Sequence, residues 1–179
     1  ASDVYKRQIL ISSNLERLLS LLSGSDEEVR GYMQKLSETG TYTVSDRVLR
    51  AVQAEFSCGF CTDAQGAQTI GKTFRENHYL LDTHTAVACT VLDAYRSGTG
   101  DQTLTVVEST ASPFKFCASV LDALGVTEHA PGTGVLGQLT AETGRPAPGP
   151  LASLAGKPVR FDQVTDRGDM RAVVTEFLR

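Results

Sequence analysis

Hydrophobic residues occur in short compact runs in some parts of the chain and about every three to four positions in others. The runs predict short strands, and the wider spacing predicts longer amphipathic helices. Compact apolar runs bounded by polar or turn-forming residues predict strands. Four such runs lie at 9–11, 78–81, 104–107 and 157–161.

The first of these runs leads into a region with helical spacing. Ser13 and Glu16 have the S-x-x-E spacing of a capping box and predict a helix start. Residues 25–76 are mostly polar, have helical periodicity and are interrupted near Gly40 and Gly59. This stretch is too long for a simple crossover between strands, so it predicts a helical excursion.

Two further helices are expected after hydroxyl-rich loops. In "DTHTAVACTVLDAYRSG", Asp82 or Thr83 can cap the helix start. In "VVESTASPFKF", Ser112 is a favourable N-cap and Pro113 a favourable first helical residue.

The C-terminal part contains less periodic sequence. Residues 126–156 are rich in Gly, Pro, Ala and Thr, which predicts a long loop with room for one short helix. Residues 166–178 predict a terminal helix with Met170, Val173, Val174 and Phe177 on its inward face. The alternation of strands and helices predicts an α/β fold with a largely parallel sheet flanked by helices.

Hydroxyl-rich loops follow three of the predicted strands, in "ILI-SSN", "YLL-DTHT" and "TVVE-STAS". In a parallel sheet, such loops lie at the carboxyl edge, where helix N-termini offer free N–H groups to an anion. Ordinary helix capping would place the same residue types there, so both interpretations stay open. Arg17 and Lys115 lie near helix starts, which is the unfavourable end of the helix dipole for a cation. A nearby anion would explain them, and so would an ordinary solvated surface charge, which is the more common case for either residue alone.

The composition argues against several classes of function. The 179 residues carry a net charge of −4, which argues against a nucleic-acid or membrane-surface role. No apolar run is long enough to cross a bilayer. Four cysteines in a chain of this length do not form a disulfide framework, so a cytoplasmic location is expected.

Two short motifs carry little functional information. "CGFC" at 58–61 lacks the strand-to-helix context of a redox site and the further ligands of a zinc site. Cys89 and Cys117 stand alone on predicted inward helix faces, so buried thiols and no metal are expected. "GTGVLG" at 132–137 matches a dinucleotide-binding pattern, but no strand precedes it, so a flexible loop is expected.

Three stretches together resemble the C-terminal half of bacterial threonine synthase, in the same order: "ILISSNLERLL", "YLLDTHTAVA" and "STASPFKF". The resemblance covers most of residues 9–125. It implies a partial tryptophan-synthase-β-like architecture, which is fold type II of pyridoxal-phosphate enzymes. It also implies that O-phospho-homoserine and water are converted to threonine and phosphate, with pyridoxal 5'-phosphate as cofactor.

The resemblance assigns roles to the loop residues. A hydroxyl of the "STAS" loop would contact the pyridine nitrogen of the cofactor, with Thr110 the first choice and Ser109 the second. Asp82 would orient His84. The residues expected near the phosphate or carboxylate of the substrate are Ser12, Ser13, Asn14, Arg17, Asp82, His84, Thr85 and Lys115.

The Schiff-base lysine and the glycine-rich phosphate loop of the family precede the matched region and have no counterpart here. Lys72, Lys115 and Lys157 do not sit in the expected motif. No catalytic residue is therefore assigned to this chain, which is expected to be inactive without the missing N-terminal half. Residues 1–8, "ASDVYKRQ", resemble a cloning adapter and predict a non-native leader, with 9–179 the C-terminal part of a catalytic domain.

Two alternatives stay open. The first is a threonine-synthase-like phospho-lyase, which keeps the fold and releases a keto acid instead of threonine. The second is a non-enzymatic module that binds anions.

Overall fold

The structure, a computed structural model, describes residues 12–160 and 162–178. Within these ranges the chain is helical and contains no strand. Short 3-10 turns lie at Pro113–Lys115, Ser153–Gly156 and Arg167–Asp169. The α-helices are α1 (Ser13–Ser23), α2 (Asp26–Thr39), α3 (Asp46–Glu55), α4 (Asp63–Asn77), α5 (Thr83–Thr99), α6 (Cys117–Ala123), α7 (Gly134–Thr143), α8 (Gly149–Ala152) and α9 (Met170–Phe177).

The strand predictions for 78–81, 104–107 and 157–160 are wrong for the described residues, and the run at 9–11 lies outside them. The parallel sheet of the predicted α/β fold is therefore not present in the described part of the chain. An apolar run shows only that a segment suits a pleated surface, whereas a strand also requires a neighbour to pair with.

The helical expectations agree better with the structure. The helices predicted over 25–76 are present as α2, α3 and α4. The break near Gly40 is confirmed, since Gly40 ends α2 in the left-handed region with φ of 78°. A glycine adopts this conformation without steric cost.

The chain divides into two compact units. In unit 1, formed by 12–69 and 84–108, helices α1, α2 and α3 pack on one another. The rings of Tyr32 and Tyr42 stack with centroids 5.6 Å apart. The buried core of these helices consists of Leu19, Val29, Tyr32 and Val48.

A network of hydrogen bonds links the start of α3 to α2. The Glu28 carboxylate accepts hydrogen bonds from the Tyr32 hydroxyl at 2.6 Å, the Ser45 hydroxyl at 2.7 Å and Arg47 at 2.8 Å. The bonds from Tyr32 and Ser45 and the charge of Arg47 hold the pKa of Glu28 below its ordinary value.

Unit 2 consists of 70–83 and the described residues from 109 onward. Helices α6 and α7 pack on each other, and Leu121 and Leu139 are fully buried. Gly71 of α4 lies so close to α6 that an added Cβ would stand 2.7 Å from the carbonyl oxygen of Ala123. Glycine at this position therefore sets the separation of α4 and α6.

The C-terminal region differs from three expectations. Residues 126–156 contain both α7 and α8 rather than one short helix, and "GTGVLG" is not a loop because α7 begins at Gly134. The terminal helix is present as α9, but of its predicted inward residues Met170, Val174 and Phe177 are exposed and only Val173 is half-buried. No helix in the described ranges is both long and apolar enough to cross a membrane.

Candidate functional site

The "SSN" loop lies at the start of α1. Ser12, not the predicted Ser13, is the N-cap: its hydroxyl accepts a hydrogen bond from the Leu15 amide at 3.3 Å. The Ser12 carbonyl accepts from the Glu16 amide at 3.1 Å. The helix therefore begins one residue earlier than the capping-box spacing predicts, and Ser13 is its first residue.

Ser13 and Arg17 border an open depression of about 610 Å³ between α1 and α2. Asn14 is exposed and is not part of its lining. The lining carries two arginines and two carboxylates, and Asp26 already accepts a hydrogen bond from Ser20 at 3.1 Å. Because these charges balance, the depression alone is not a strong anion receptor. The lining residues are Ser13, Glu16, Arg17, Ser20, Asp26, Val29, Arg30 and Met33.

The "DTHT" loop combines burial with one exposed imidazole. Asp82 is 1% exposed and Thr85 is 4% exposed, whereas His84 at the start of α5 is exposed. Each of these three residues makes an interaction within the chain. A buried carboxylate requires such a partner, because an unpaired charge away from water is costly. The Asp82 side chain is therefore held inside the protein, whereas the His84 side chain reaches the surface.

The segment that leads into this loop is held by a residue that the sequence did not single out. The Arg145 guanidinium donates a hydrogen bond to the His78 carbonyl at 2.6 Å. His78 is in the left-handed region, with φ of 53°, which is uncommon for a residue with a side chain. Nothing in the sequence predicts this pair, since the two residues are 67 positions apart.

The "STAS" loop precedes the 3-10 turn at Pro113–Lys115. The predicted cap is confirmed: the Ser112 hydroxyl accepts from the Phe114 amide at 3.3 Å, and Pro113 is the first residue of the turn. Thr110 and Lys115 are exposed. Burial raises the pKa of the Cys117 thiol, two residues beyond Lys115, so that thiol stays neutral.

The predicted site residues are divided between the two units. Unit 1 contains the "SSN" residues with Arg17, and also His84 and Thr85. Unit 2 contains Asp82, the "STAS" residues and Lys115. The gathering of all three loops around one anion stays a prediction.

In the described part of the chain, no set of metal-ligating side chains surrounds the "CGFC" motif. Cys58 is exposed rather than buried, Cys61 is half-buried, and both are free thiols. The described residues contain no group of three or more side chains suited to holding a metal ion.

Comparison with known proteins gives a consistent result. Residues 85–175, just over half of the chain, match the family model "Threonine synthase, C-terminal". Human threonine synthase-like 1 is 30% identical over 121 residues, which is 67% of this chain and 16% of the human protein.

Two solved structures are similar over nearly the whole chain. The PLP-bound threonine synthase of Brucella melitensis is 29% identical with a TM-score of 0.67, over 94% of this chain and 32% of that one. Yeast threonine synthase is 24% identical with a TM-score of 0.78, over 100% of this chain and 36% of that one.

The similarity to these two threonine synthases is consistent with fold type II of pyridoxal-phosphate enzymes, although the described residues include none of its sheet. The chain belongs to the threonine synthase family and corresponds to its C-terminal part. It spans only about a third of the length of the solved relatives.

Proposed function

We propose that this chain forms the C-terminal part of a threonine synthase, which converts O-phospho-homoserine and water to threonine and phosphate. The observation that carries the proposal is the family match over 85–175, which contains the "STAS" loop and most of α5. The location is proposed to be cytoplasmic, as the composition suggests.

The "STAS" loop fits the nitrogen end of pyridoxal 5'-phosphate. A hydroxyl both donates and accepts, so it can bond a pyridine nitrogen in either protonation state. Thr110 is exposed and makes no hydrogen bond to the described residues, whereas Ser109 already takes part in an interaction within the chain. This difference favours Thr110 over Ser109. When bound, the cofactor supplies the electron sink of the reaction.

The remaining loop residues would bind and orient the substrate. His84 is exposed at a helix start and can donate a hydrogen bond to a phosphate. Ser13 and Arg17 on α1 and Lys115 after the "STAS" loop are also exposed donors. The burial of Asp82 and the bond from Arg145 to His78 would keep the "DTHT" loop fixed while substrate binds. Thr85, Ser12 and Asn14 are weaker candidates. Thr85 is buried, Ser12 is occupied as a cap, and Asn14 lies outside the lining of the depression.

A chimeric enzyme tests the proposal. Residues 9–179 replace the matched C-terminal part of yeast threonine synthase, and phosphate release from O-phospho-homoserine is measured. Thr110→Val should lower kcat by about 5–150-fold, the effect of losing one hydrogen bond worth about 1–3 kcal/mol in the transition state. Thr127→Val is the matched control, because Thr127 is also an exposed threonine in a loop. Activity that survives Thr110→Val, Ser109→Ala and His84→Ala together would refute the site assignment.

A phospho-lyase that releases a keto acid is the second candidate. The chain is about as similar to the human protein named threonine synthase-like 1 as to yeast threonine synthase, at 30% and 31% identity, so the comparisons do not separate a synthase from a synthase-like enzyme. Analysis of the organic product of the same chimera separates the two: threonine supports the synthase, and a keto acid supports the lyase.

A further inference from the structure

The loop between α3 and α4 contains two cysteines that the proposed function does not use. Cys58 is exposed and Cys61 is half-buried, and both are free thiols. Cys117, by contrast, is buried, and its thiol donates a hydrogen bond to the Phe114 carbonyl at 3.2 Å. Because reactivity follows access, Cys58 is the thiol that a dissolved oxidant meets first.

The two cysteines directly precede the start of α4. Thr62 caps this helix: its hydroxyl accepts a hydrogen bond from the Gln65 amide at 3.3 Å, and the Gln65 side chain accepts one from the Thr62 amide at 2.8 Å. The Cys61 sulfur lies over the first turn, 3.9 Å from the position that a Cβ on Gly66 would take. Reactive cysteines commonly lie at helix N-termini or in C-x-x-C motifs, and this pair combines the two features.

The backbone that carries the pair is fixed at both ends and unpaired between them. The Phe56 amide donates to the Val52 carbonyl at 2.8 Å and closes α3, while Thr62 caps α4 at the other end. From 57 to 61, no backbone group bonds to a backbone group elsewhere in the described ranges. A disulfide that closes in this stretch therefore breaks no backbone hydrogen bond, and the fixed ends keep the two sulfurs within one short loop.

The residues between the cysteines permit the loop to close. Gly59 lies against α5, where an added Cβ would stand 2.8 Å from a methyl carbon of Val91, so this approach requires a glycine. A glycine also lets the backbone bring the flanking Cα atoms within the about 4.4–6.8 Å that a disulfide requires. The Phe60 side chain is 88% exposed, so closure would disrupt little packing of its ring.

We propose that Cys58 and Cys61 are a redox-active pair that forms a reversible intramolecular disulfide, with a low-molecular-weight disulfide, RSSR, as the oxidant. This inference does not depend on the proposed function. The Cys58 sulfur attacks one sulfur of RSSR and forms a mixed disulfide, and the first RSH leaves with the Cys58 proton. The Cys61 sulfur then attacks the Cys58 sulfur, and the second RSH leaves with the Cys61 proton. The pair gives two electrons to the oxidant, which is reduced to two thiols.

Reaction with oxidised glutathione tests the pair in the 179-residue chain. The reduced chain is incubated with the oxidant, the remaining thiols are blocked with iodoacetamide in urea, and the tryptic peptides are weighed by mass spectrometry. Cleavage after Arg50 and Lys72 releases the peptide 51–72, which contains both cysteines of the pair. Cys89 and Cys117 lie in two other tryptic peptides and serve as internal references.

We expect the peptide 51–72 to lose two hydrogens, to take up no iodoacetamide and to regain both thiols after reduction. Its thiols should be consumed at least about 10-fold faster than that of Cys117, which is buried. The proposal is overturned if Cys58 stops at the mixed disulfide with glutathione, if the peptide becomes linked to a second chain, or if both of its cysteines stay reduced.

Variants of single cysteines test the order of the two steps. Cys61→Ser should stop the reaction at the mixed disulfide, so that one glutathione per chain stays on Cys58. Cys58→Ser should slow glutathione uptake by the peptide at least about 10-fold, because Cys61 is half-buried. Cys89→Ser is the matched control, since Cys89 is also half-buried but lies on α5, and it should leave the yield of the disulfide unchanged. An equal loss of disulfide in Cys89→Ser and Cys61→Ser would overturn the assignment of Cys61 as the partner of Cys58.

Discussion

Replacement of Gly71 by alanine tests the close approach of α4 and α6. An ideal Cβ at this position lies 2.7 Å from the Ala123 carbonyl oxygen and 3.0 Å from an Arg75 guanidinium nitrogen. The Arg75 side chain can move, but the carbonyl belongs to the backbone of α6. The two helices must therefore separate by about half an ångström, and such overpacking costs about 1–3 kcal/mol.

Gly137→Ala provides the matched control. Gly137 lies within α7 of the same unit, and no atom lies within 4 Å of the position that its Cβ would take. Alanine improves helix propensity by about 1 kcal/mol at both sites, so this gain cancels when the two variants are compared. The difference between their free energies of unfolding is then the packing cost alone, about 1–3 kcal/mol.

Urea unfolding of both variants, followed by circular dichroism, measures this difference. Gly137→Ala should raise the free energy of unfolding by up to about 1 kcal/mol, and Gly71→Ala should give the lower value of the two. Equal values for the two variants, within about 0.5 kcal/mol, would refute the close approach, since the contact with a backbone carbonyl is what distinguishes the two sites.

Three further predictions concern single side chains. Ser12→Ala should lower the free energy of unfolding by about 0.5–2 kcal/mol because it removes the N-cap, while Ser13→Ala should have little effect. A larger loss for Ser13→Ala than for Ser12→Ala in urea unfolding would support Ser13 as the cap instead. The lowered pKa of Glu28 contributes stability above the ordinary pKa of 4.5 that is lost as the pH falls through the lowered value, so Glu28→Gln should flatten the acid dependence of the urea midpoint; an unchanged profile would contradict this. Cys58 should react rapidly with a thiol reagent at pH 8, and Cys117 only after unfolding, because Cys58 is exposed and Cys117 is buried with a raised pKa; equal rates in the folded chain would contradict the burial.

Local signals in the sequence located several helix boundaries. Ser112 with Pro113 marked the 3-10 turn, and Gly40 marked the end of α2. These features depend on side chains within a few residues of one another, which is why they can be recognised without a fold. The shift from Ser13 to Ser12 shows the limit of such signals, because two adjacent serines compete for one cap.

The motifs "SSNLER", "DTHTAVA" and "STASPFKF" identified the family from the sequence, because the order and type of residues around a ligand are encoded locally. The structure alone showed that Arg145 holds His78, since a contact between residues 67 positions apart leaves no local pattern. It also showed that 104–107 forms no strand among the described residues. A strand depends on a neighbour as well as on its own side chains, and pairing is therefore a property of the tertiary structure.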